Sequence, residues 1–383
     1  MNSFINYGRQ WIDDNDVDEV IKALKSDYLT QGPAVEVFED TICEYTGAKH
    51  CVAVSNATAG LHLAVRALGI EKDSEGITSP NTFVASSNAL IYNELKPVFA
   101  DIDAATYNID PFKIKEKMSE KTKVIIPVHF AGRPCDMAAI RKLTEENKIH
   151  IIEDAAHAIG SAYENGQKVG SCVYSDMTVF SFHPVKTITT GEGGAVTTND
   201  RDLYEKLKML RSHGITRDAS YLTSNPGPWY YEMHELGFNY RMTDIQAALG
   251  TAQMKKLESF KARRNYIIQR YNEAFSSLEH LQPPLADDGR SCFHLYVVKI
   301  DFKRLGKSRK SVMEALRSKK IGTQVHYIPV HTQPYYSKEY RYTYGDYPES
   351  EKYYESALSL PLYPSMTDAD IERVISSIKE LFV

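Results

Sequence analysis

Short apolar runs alternate with helix-like patterns between residues 50 and 200, and this alternation limits the folds that the chain can adopt. Cys51–Val54 is one such run, and Lys123–His129 is a longer, continuous one. A continuous apolar run is typical of a strand that is buried on both faces. Strands separated by helices therefore predict an α/β fold with a mainly parallel sheet sandwiched by helices.

The pattern changes after Asn199, where helical periodicity dominates. A loop rich in Gly, Pro and Tyr covers residues 213–234, and one long helical pattern runs from Thr243 to residue 275. Beyond it the sequence predicts strands at Phe293–Ile300 and Gly322–Tyr327 and a final helix at Ala369–Phe382. These elements favour a second, α+β unit.

A chain of 383 residues is long enough for two domains in close contact. We predict that residues 1–245 form an N-terminal segment and a large α/β domain. Residues 246–383 are predicted to form a linking helix and a smaller α+β C-terminal domain.

Composition argues against several classes of function. A formal net charge of −5 is unfavourable for general binding to nucleic acid or a membrane surface. The five cysteines show no spacing typical of a metal site, so we expect no metal and a reduced, cytoplasmic environment. No signal peptide and no membrane-spanning run of about 18 apolar residues are predicted.

Polar and aromatic residues follow the predicted strands at the points where those strands end. Ligands of a mainly parallel sheet bind at the carboxyl ends of its strands. Thr58, Phe83, Asp154 and Ser181 all lie at such ends. Thr58 precedes a helix whose first N–H groups can bind an anion, although an ordinary helix cap explains that turn alone equally well.

Lys186 follows an apolar run and precedes a Gly-rich turn at Gly191–Gly194. Lysine forms a Schiff base with an aldehyde, and a carboxylate such as Asp154 can keep a pyridine nitrogen protonated. Four residues can complete a site for such a cofactor: Thr58, Ala59 and Ser181 around a phosphate, and Phe83 over the ring. Each has an ordinary structural explanation when taken singly, but their combination predicts a pyridoxal-phosphate site.

Six motifs resemble those of the DegT/DnrJ/EryC1/StrS family of sugar aminotransferases, which are fold-type I pyridoxal 5'-phosphate enzymes. The motifs are Ser55–His62, Ser79–Phe83, Glu153–Gly160, Phe180–Gly194, Arg211–Gly214 and Leu236–Gly250. The resemblance implies that Lys186 binds the cofactor covalently and then transfers protons, and that Asp154 pairs with the pyridinium. It also implies that His157 lies near the ring hydroxyl. Asn239 is expected to reach the phosphate of the neighbouring subunit, so the active site would need a homodimer.

Within this family, Pro184–Gly194 and Gln324–Pro329 are similar to the aminotransferases of pseudaminic acid biosynthesis. This resemblance implies amino transfer from L-glutamate to the 4-keto carbon of a UDP-linked 2-acetamido-2,6-dideoxyhexulose. The residues implied as sugar-nucleotide contacts are Tyr7, Asp27, Tyr28, Leu29, Thr30, Gln324, Val325, His326 and Tyr327. Terminal or interdomain packing explains them equally well, and no role follows for His183 or Pro184.

Three other functions agree with parts of the pattern. The substrate of the aminotransferase is alternatively a dTDP- or GDP-linked 3- or 4-keto sugar, because a fold does not determine the sugar. A cofactor-dependent sugar dehydratase is less consistent, because that branch carries histidine at the position of Lys186. A non-catalytic regulatory homologue is expected to have lost Asp154, Ser181 or Lys186, and all three are present.

Overall fold

The computed structural model describes residues 3–145, 147–286 and 289–382. Its α-helices are α1 Asp14–Leu24, α2 Pro33–Thr46, α3 Ala57–Ala67, α4 Ala85–Tyr92, α5 Pro111–Lys117, α6 Met137–Glu145, α7 Arg201–Arg211, α8 Asp244–Met254, α9 Leu257–Phe275, α10 Arg309–Ser318, α11 Pro334–Tyr340, α12 Pro348–Ser356 and α13 Asp368–Lys379. Its strands are β1 His50–Val54, β2 Glu75–Thr78, β3 Lys96–Phe99, β4 Thr122–Ile126, β5 His150–Asp154, β6 Met177–Ser181, β7 Gly194–Thr198, β8 Ile215–Thr216, β9 Glu232–Met233, β10 Leu281–Gln282, β11 Tyr296–Ile300 and β12 Ala357–Leu360. None of the helices within these ranges has the length and hydrophobicity needed to cross a membrane.

Seven strands form the central sheet in the order β1-β7-β6-β5-β4-β2-β3. The five strands from β6 to β3 are parallel to one another, whereas β7 is antiparallel to both β1 and β6. The mainly parallel sheet predicted from the sequence is therefore confirmed. The sequence does not reveal β7, because two of its five residues are threonines. Both Thr197 and Thr198 are buried, and their hydroxyls donate to the carbonyls of Gly170 and Asp176.

Helix α2 covers one face of the sheet through Phe38. Pro33 opens this helix and Gly47, with a positive φ of 81°, closes it. The fully buried ring of Phe38 meets the ring of Phe182 edge-on at a centroid distance of 5.2 Å. Gly250 in α8 permits this approach, because a Cβ there would lie 2.6 Å from the ring of Phe38.

A second hydrophobic core surrounds the antiparallel sheet β10-β11-β12. Ile267 and Tyr271 of α9, Val298 of β11, Leu358 of β12 and Ile375 of α13 are all buried there. The central sheet has its own apolar clusters on its two faces. The division of the chain at residue 245 stays a prediction.

The long helix predicted from Thr243 to residue 275 is two helices, α8 and α9. The chain breaks at Lys255 and Lys256 because the two helices have different partners: α8 packs on α1 and α2, whereas α9 packs on α13. Lys256 stabilises the turn by pairing with Asp13, at 3.0 Å, and with Asp16 of α1.

The strand predicted at Gly322–Tyr327 is not formed. Only Gln324 makes a bridge, to Ser359, and the chain then leaves the sheet edge. Helices α5, α11 and α12 were not predicted because they are short and rich in charged and tyrosine residues. Each begins with proline, which is the signal that indicates their first residues.

We expect Phe38→Ala to lower the free energy of unfolding by about 3–5 kcal/mol, because it leaves a cavity between α2, α8 and the sheet. The matched control is Val37→Ala, at a side chain that is 52% exposed one position earlier. The control should change stability by less than about 0.5 kcal/mol. Denaturant titration of both variants checks this, and equal losses would contradict the packing described for α2.

Candidate active site

The register of the central sheet brings the predicted strand ends together. Ser181, the last residue of β6, pairs with Gly194 of β7, which also pairs with Val54 at the end of β1. Asp154, the last residue of β5, pairs with Val179 of β6. Asp154, Ser181 and the turn that follows β1 therefore lie along one edge of the sheet.

The start of helix α3 offers an anion site beside this edge. Asn56 caps the helix, and its Oδ1 accepts the N–H of Ala59 at 2.8 Å. Within the described ranges, the N–H groups of Ala57 and Thr58 have no hydrogen-bond partner. Gly194 lets this helix start pack closely against β7, because a Cβ there would lie 2.7 Å from the nitrogen of Ala57. We therefore expect a phosphate to bind the free N–H groups of Ala57 and Thr58 rather than that of Ala59, which already donates to Asn56.

The carboxylate of Asp154 is buried and held from two sides. Its Oδ2 accepts the hydroxyl of Ser86 at 2.6 Å, and its Oδ1 accepts the N–H of Ala156 at 3.1 Å. The hydroxyl of Thr82 lies 2.8 Å from that of Ser86. The sequence does not single out Ser86, because nothing local distinguishes it from Ser87 in the same helix.

Lys186 lies in the turn that follows β6, where its N–H donates to the carbonyl of His183 at 2.8 Å. The residue is only partly exposed. Burial lowers the pKa of the Lys186 amine from its usual 10.5 to about 8, although the nearby carboxylate of Asp154 acts in the opposite direction. A larger neutral fraction makes the amine a better nucleophile at neutral pH.

His157 follows β5 and stays neutral beside the lysine. Its Nδ1 accepts the N–H of Ala131 at 3.3 Å, so the ring proton is on Nε2, which lies 3.0 Å from the hydroxyl of Tyr327. Burial and the charge of Lys186 hold the pKa of His157 well below its usual range. Neutral His157 can therefore donate a hydrogen bond from Nε2.

Three of the predicted substrate contacts, Tyr7, His326 and Tyr327, meet near the lysine. The rings of Tyr7 and His326 are 5.5 Å apart, and Nδ1 of His326 lies 2.8 Å from the hydroxyl of Ser359. Burial and the charge of Lys186 lower the pKa of His326 to about 3. Burial and the charge of Asp154 raise the pKa of Tyr327 well above its usual value.

Phe83 and Ser181 are the two remaining predicted cofactor contacts near the strand ends of the central sheet. The ring of Phe83 is 60% exposed and lies 6.4 Å from that of Tyr327, so it is free to cover a ligand. Ser181 is buried, and among the described residues its Oγ accepts only a long hydrogen bond of 3.5 Å, from the N–H of exposed His183. That serine can therefore reorient toward a phosphate.

Other predicted residues form their hydrogen bonds and bridges elsewhere in the chain. The loop Asp27, Tyr28, Leu29 and Thr30 is exposed and packs on the start of α8, where the carbonyl of Leu29 accepts the N–H of Asp244 at 3.0 Å. Asn239 is exposed and bridges to Ser212, and Gln324 is exposed beside half-buried Val325. No contact among the described residues joins the loop or Asn239 to Lys186 or Asp154. Their roles stay predictions.

The residues at this edge fit pyridoxal phosphate. Asp154 can face a ring nitrogen, Lys186 can reach an aldehyde, and the amides of Ala57 and Thr58, which have no partner among the described residues, can hold a phosphate. Within the described ranges, no group of three or more side chains suited to a metal ion occurs.

Known proteins that are similar to this chain match it over nearly its whole length, and they are aminotransferases or relatives of them. Residues 10–379 match the model of the DegT/DnrJ/EryC1/StrS aminotransferase family. An uncharacterized protein of Methanocaldococcus jannaschii is 45% identical over 99% of the chain and 98% of its own length. The spore coat polysaccharide biosynthesis protein SpsC of Bacillus subtilis is 43% identical over 99% of the chain and 97% of its own length.

Solved structures are similar over the same extent. Helicobacter pylori PseC, an aminotransferase of pseudaminic acid biosynthesis, superposes with a TM-score of 0.92 at 32% identity and 99% coverage of both chains. The sugar aminotransferase Spr1654 of Streptococcus pneumoniae, in its pyridoxamine-phosphate form, superposes with a TM-score of 0.91 at 30% identity and 98% coverage of both. DesI, solved with its TDP-sugar product, gives a TM-score of 0.87 at 31% identity, over 99% of this chain and 93% of its own. These matches confirm the predicted fold class and the pyridoxal-phosphate cofactor.

The lowered pKa of Lys186 has a measurable consequence. We expect the rate at which acetic anhydride acetylates Lys186 in the cofactor-free protein to rise with pH and reach half its maximum near pH 8, because only the neutral amine reacts. Exposed Lys22, whose pKa is raised by Glu19, serves as the control within the same molecule. Peptide mass spectrometry gives both profiles. Superimposable profiles would contradict the burial described for the lysine.

Proposed function

Because the chain belongs to the DegT/DnrJ/EryC1/StrS aminotransferase family, we propose that it aminates the 4-keto carbon of a UDP-linked 2-acetamido-2,6-dideoxyhexulose with L-glutamate as donor, as in pseudaminic acid biosynthesis. The protein is a pyridoxal-phosphate-dependent sugar aminotransferase; the sugar, its nucleotide and the donor are the proposed part. The observation that supports this substrate is the similarity to PseC, at a TM-score of 0.92 over 99% of both chains.

Pyridoxal phosphate supplies an aldehyde carbon that accepts an amino group and a ring that withdraws electrons from it. We assign the binding of that aldehyde to the neutral amine of Lys186, which afterwards carries a proton from the donor and later returns one to the sugar. Asp154 holds a proton at the ring nitrogen, and Nε2 of His157 donates to the ring hydroxyl in place of Tyr327. The first turn of α3, with Thr58, binds the phosphate together with Ser181.

The sugar nucleotide binds, in this proposal, at the side of the lysine where Tyr7, His326 and Tyr327 meet. Their rings give an apolar wall with polar tips, which suits a sugar face and its hydroxyls. Neutral His326 can donate a hydrogen bond from Nε2, because its Nδ1 can accept the hydroxyl of Ser359.

The remaining contacts come from a second subunit. Asn239 is exposed and follows a segment in which Trp229 is 70%, Met233 61% and Leu236 69% exposed. Large apolar side chains left in water on one segment indicate a surface that another protein covers. We assign this surface to a homodimer in which Asn239 reaches the phosphate of the partner, and the loop 27–30 the sugar nucleotide.

A second candidate function is amination of another nucleotide-linked 3- or 4-keto sugar. DesI was solved with a TDP-sugar product, and SpsC, which acts in spore coat polysaccharide biosynthesis, is more similar in sequence than PseC, at 43% against 32% identity. A dehydratase is disfavoured because Lys186 is present where that branch is expected to carry histidine.

Turnover with a panel of keto sugars tests the substrate. We expect 2-oxoglutarate to form from glutamate with the UDP-linked 4-keto sugar and to form at least tenfold more slowly with dTDP- or GDP-linked analogues, since these leave the site's polar groups unpaired. Lys186→Ala should abolish turnover with every sugar. Faster turnover with a dTDP- or GDP-linked sugar would favour the second candidate, and normal turnover in Lys186→Ala would exclude the assigned lysine.

Mixing two inactive variants tests the shared site. Lys186→Ala and Asn239→Ala homodimers should each be impaired, since every site in them lacks one group. Subunit exchange should restore about a quarter of the wild-type activity, because half of the dimers are mixed and each then has one complete site. Mixing Lys186→Ala with Asp154→Asn is the control and should restore nothing, because both groups come from one chain. No recovery in the first mixture would contradict the contribution of Asn239 across the interface.

A further inference from the structure

A short chain of hydroxyl groups ends on the carboxylate of Asp154. Oγ of Ser86 lies 2.6 Å from Oδ2 of Asp154 and 2.8 Å from Oγ1 of Thr82. An ionised carboxylate only accepts hydrogen bonds, so Ser86 is the donor to Asp154. The single proton of Ser86 is then used, and Thr82 donates to Ser86. The carbonyl of Phe83, at 3.5 Å, is a much poorer acceptor for Ser86.

The whole chain of hydroxyls is shielded from water. Ser86 has no exposed surface, Thr82 is 2% exposed and Asp154 is 5% exposed. A hydrogen bond to a charged group is strong at this separation, and its strength increases where water cannot compete. The hydroxyls of Thr82 and Ser86 also polarise each other, which increases the stabilisation of the negative charge.

The two oxygens of Asp154 are thereby fixed in orientation. Oδ1 accepts the N–H of Ala156 and Oδ2 accepts Ser86, so the carboxylate cannot rotate without losing one of these bonds. Each oxygen has a further lone pair, which stays available to a ring nitrogen. A carboxylate stabilised in this way holds the ring proton by charge and leaves it on the nitrogen.

We propose that Ser86 is a positioning residue for the cofactor: its hydroxyl orients the carboxylate of Asp154 and stabilises its negative charge by a hydrogen bond, so that the shared proton stays on the ring nitrogen. This inference rests on the proposed role of Asp154. No bond is made or broken by Ser86, and the proton count at the site is unchanged. Ser86 affects only how one proton is shared between the carboxylate of Asp154 and the ring nitrogen of the cofactor.

Ser87 provides a matched control in the next position of the same helix. It is the same residue type and is equally buried. Its hydroxyl contacts the hydroxyl of Tyr336 at 2.6 Å and the carbonyl of Val84 at 3.2 Å, and not Asp154. Loss of that hydroxyl removes a buried hydrogen bond without touching the carboxylate.

The test loads five proteins with pyridoxal phosphate labelled with ¹⁵N in the ring: the wild type, Ser86→Ala, Ser86→Thr, Ser87→Ala and Asp154→Asn. The ¹⁵N chemical shift reports whether the ring nitrogen is protonated, and titration gives the cofactor dissociation constant. We expect the protonated shift in the wild type and Ser87→Ala, and a movement toward the neutral shift in Ser86→Ala. Cofactor binding to Ser86→Ala should weaken by about tenfold, as for loss of one hydrogen bond to a charged group.

Ser86→Thr keeps the hydroxyl, so it should restore both the chemical shift and the dissociation constant to their wild-type values.

The outcomes separate this inference from the proposal on which it rests. A wild-type shift and affinity in Ser86→Ala, with a neutral shift in Asp154→Asn, would overturn the role of Ser86 and leave that of Asp154 intact. A protonated shift in Asp154→Asn would overturn the role of Asp154 itself. If Ser86→Ala does not fold, Ser86→Cys, which keeps the size but only a weak donor, is judged by the same two measurements.

Discussion

The site depends on holding the charge of Asp154 at the end of a buried strand. A buried carboxylate is costly unless hydrogen bonds replace its lost hydration. Asp154 receives them from Ser86 and from the N–H of Ala156, and its main chain is fixed by bonds to Pro127, at 2.9 Å, and His129, at 3.1 Å. Because both backbone and side chain are held, the carboxylate is oriented before any cofactor arrives, which is the condition for effective electrostatic stabilisation.

The residue before it anchors the opposite face of the strand. Glu153 is fully buried and accepts hydrogen bonds from Tyr163, at 2.7 and 2.8 Å, and from Ser175, while Nε2 of His129 lies 2.6 Å away. Burial raises the pKa of Glu153, but these bonds, above all that of His129, leave it lower than usual. Nδ1 of His129 accepts the N–H of Cys135, which fixes the ring. One strand therefore carries two carboxylates, of which one is fully paired and the other stays available.

The sequence predicts those parts of the fold and site that depend on local pattern. Most strands of the central sheet contain a short apolar run, so their ends could be located, and with them Asp154, Ser181 and the turn at Thr58. Strand β7 was missed because its buried threonines read as polar, and the break between α8 and α9 was missed because it follows from the two helices' different partners. Local pattern contains neither kind of information.

Contacts between distant segments could not be predicted either. Ser86 reaches Asp154 across 68 positions, and Tyr327 reaches His157 across 170. Gly194 lies in the predicted Gly-rich turn, but its role appears only where the backbone of Asn56 and Ala57 packs closely against it. Such residues are identified by three-dimensional proximity, because their types are common and their neighbours in sequence are unremarkable.

The most direct test of the central claim is to locate the covalent link. The protein is loaded with pyridoxal phosphate, reduced with borohydride so that an imine becomes a stable amine, digested and analysed by peptide mass spectrometry. The geometry at the end of β6 predicts that the phosphopyridoxyl group is found on Lys186 alone. A group on any other lysine, or none at all, would contradict the assignment of this sheet edge as the active site.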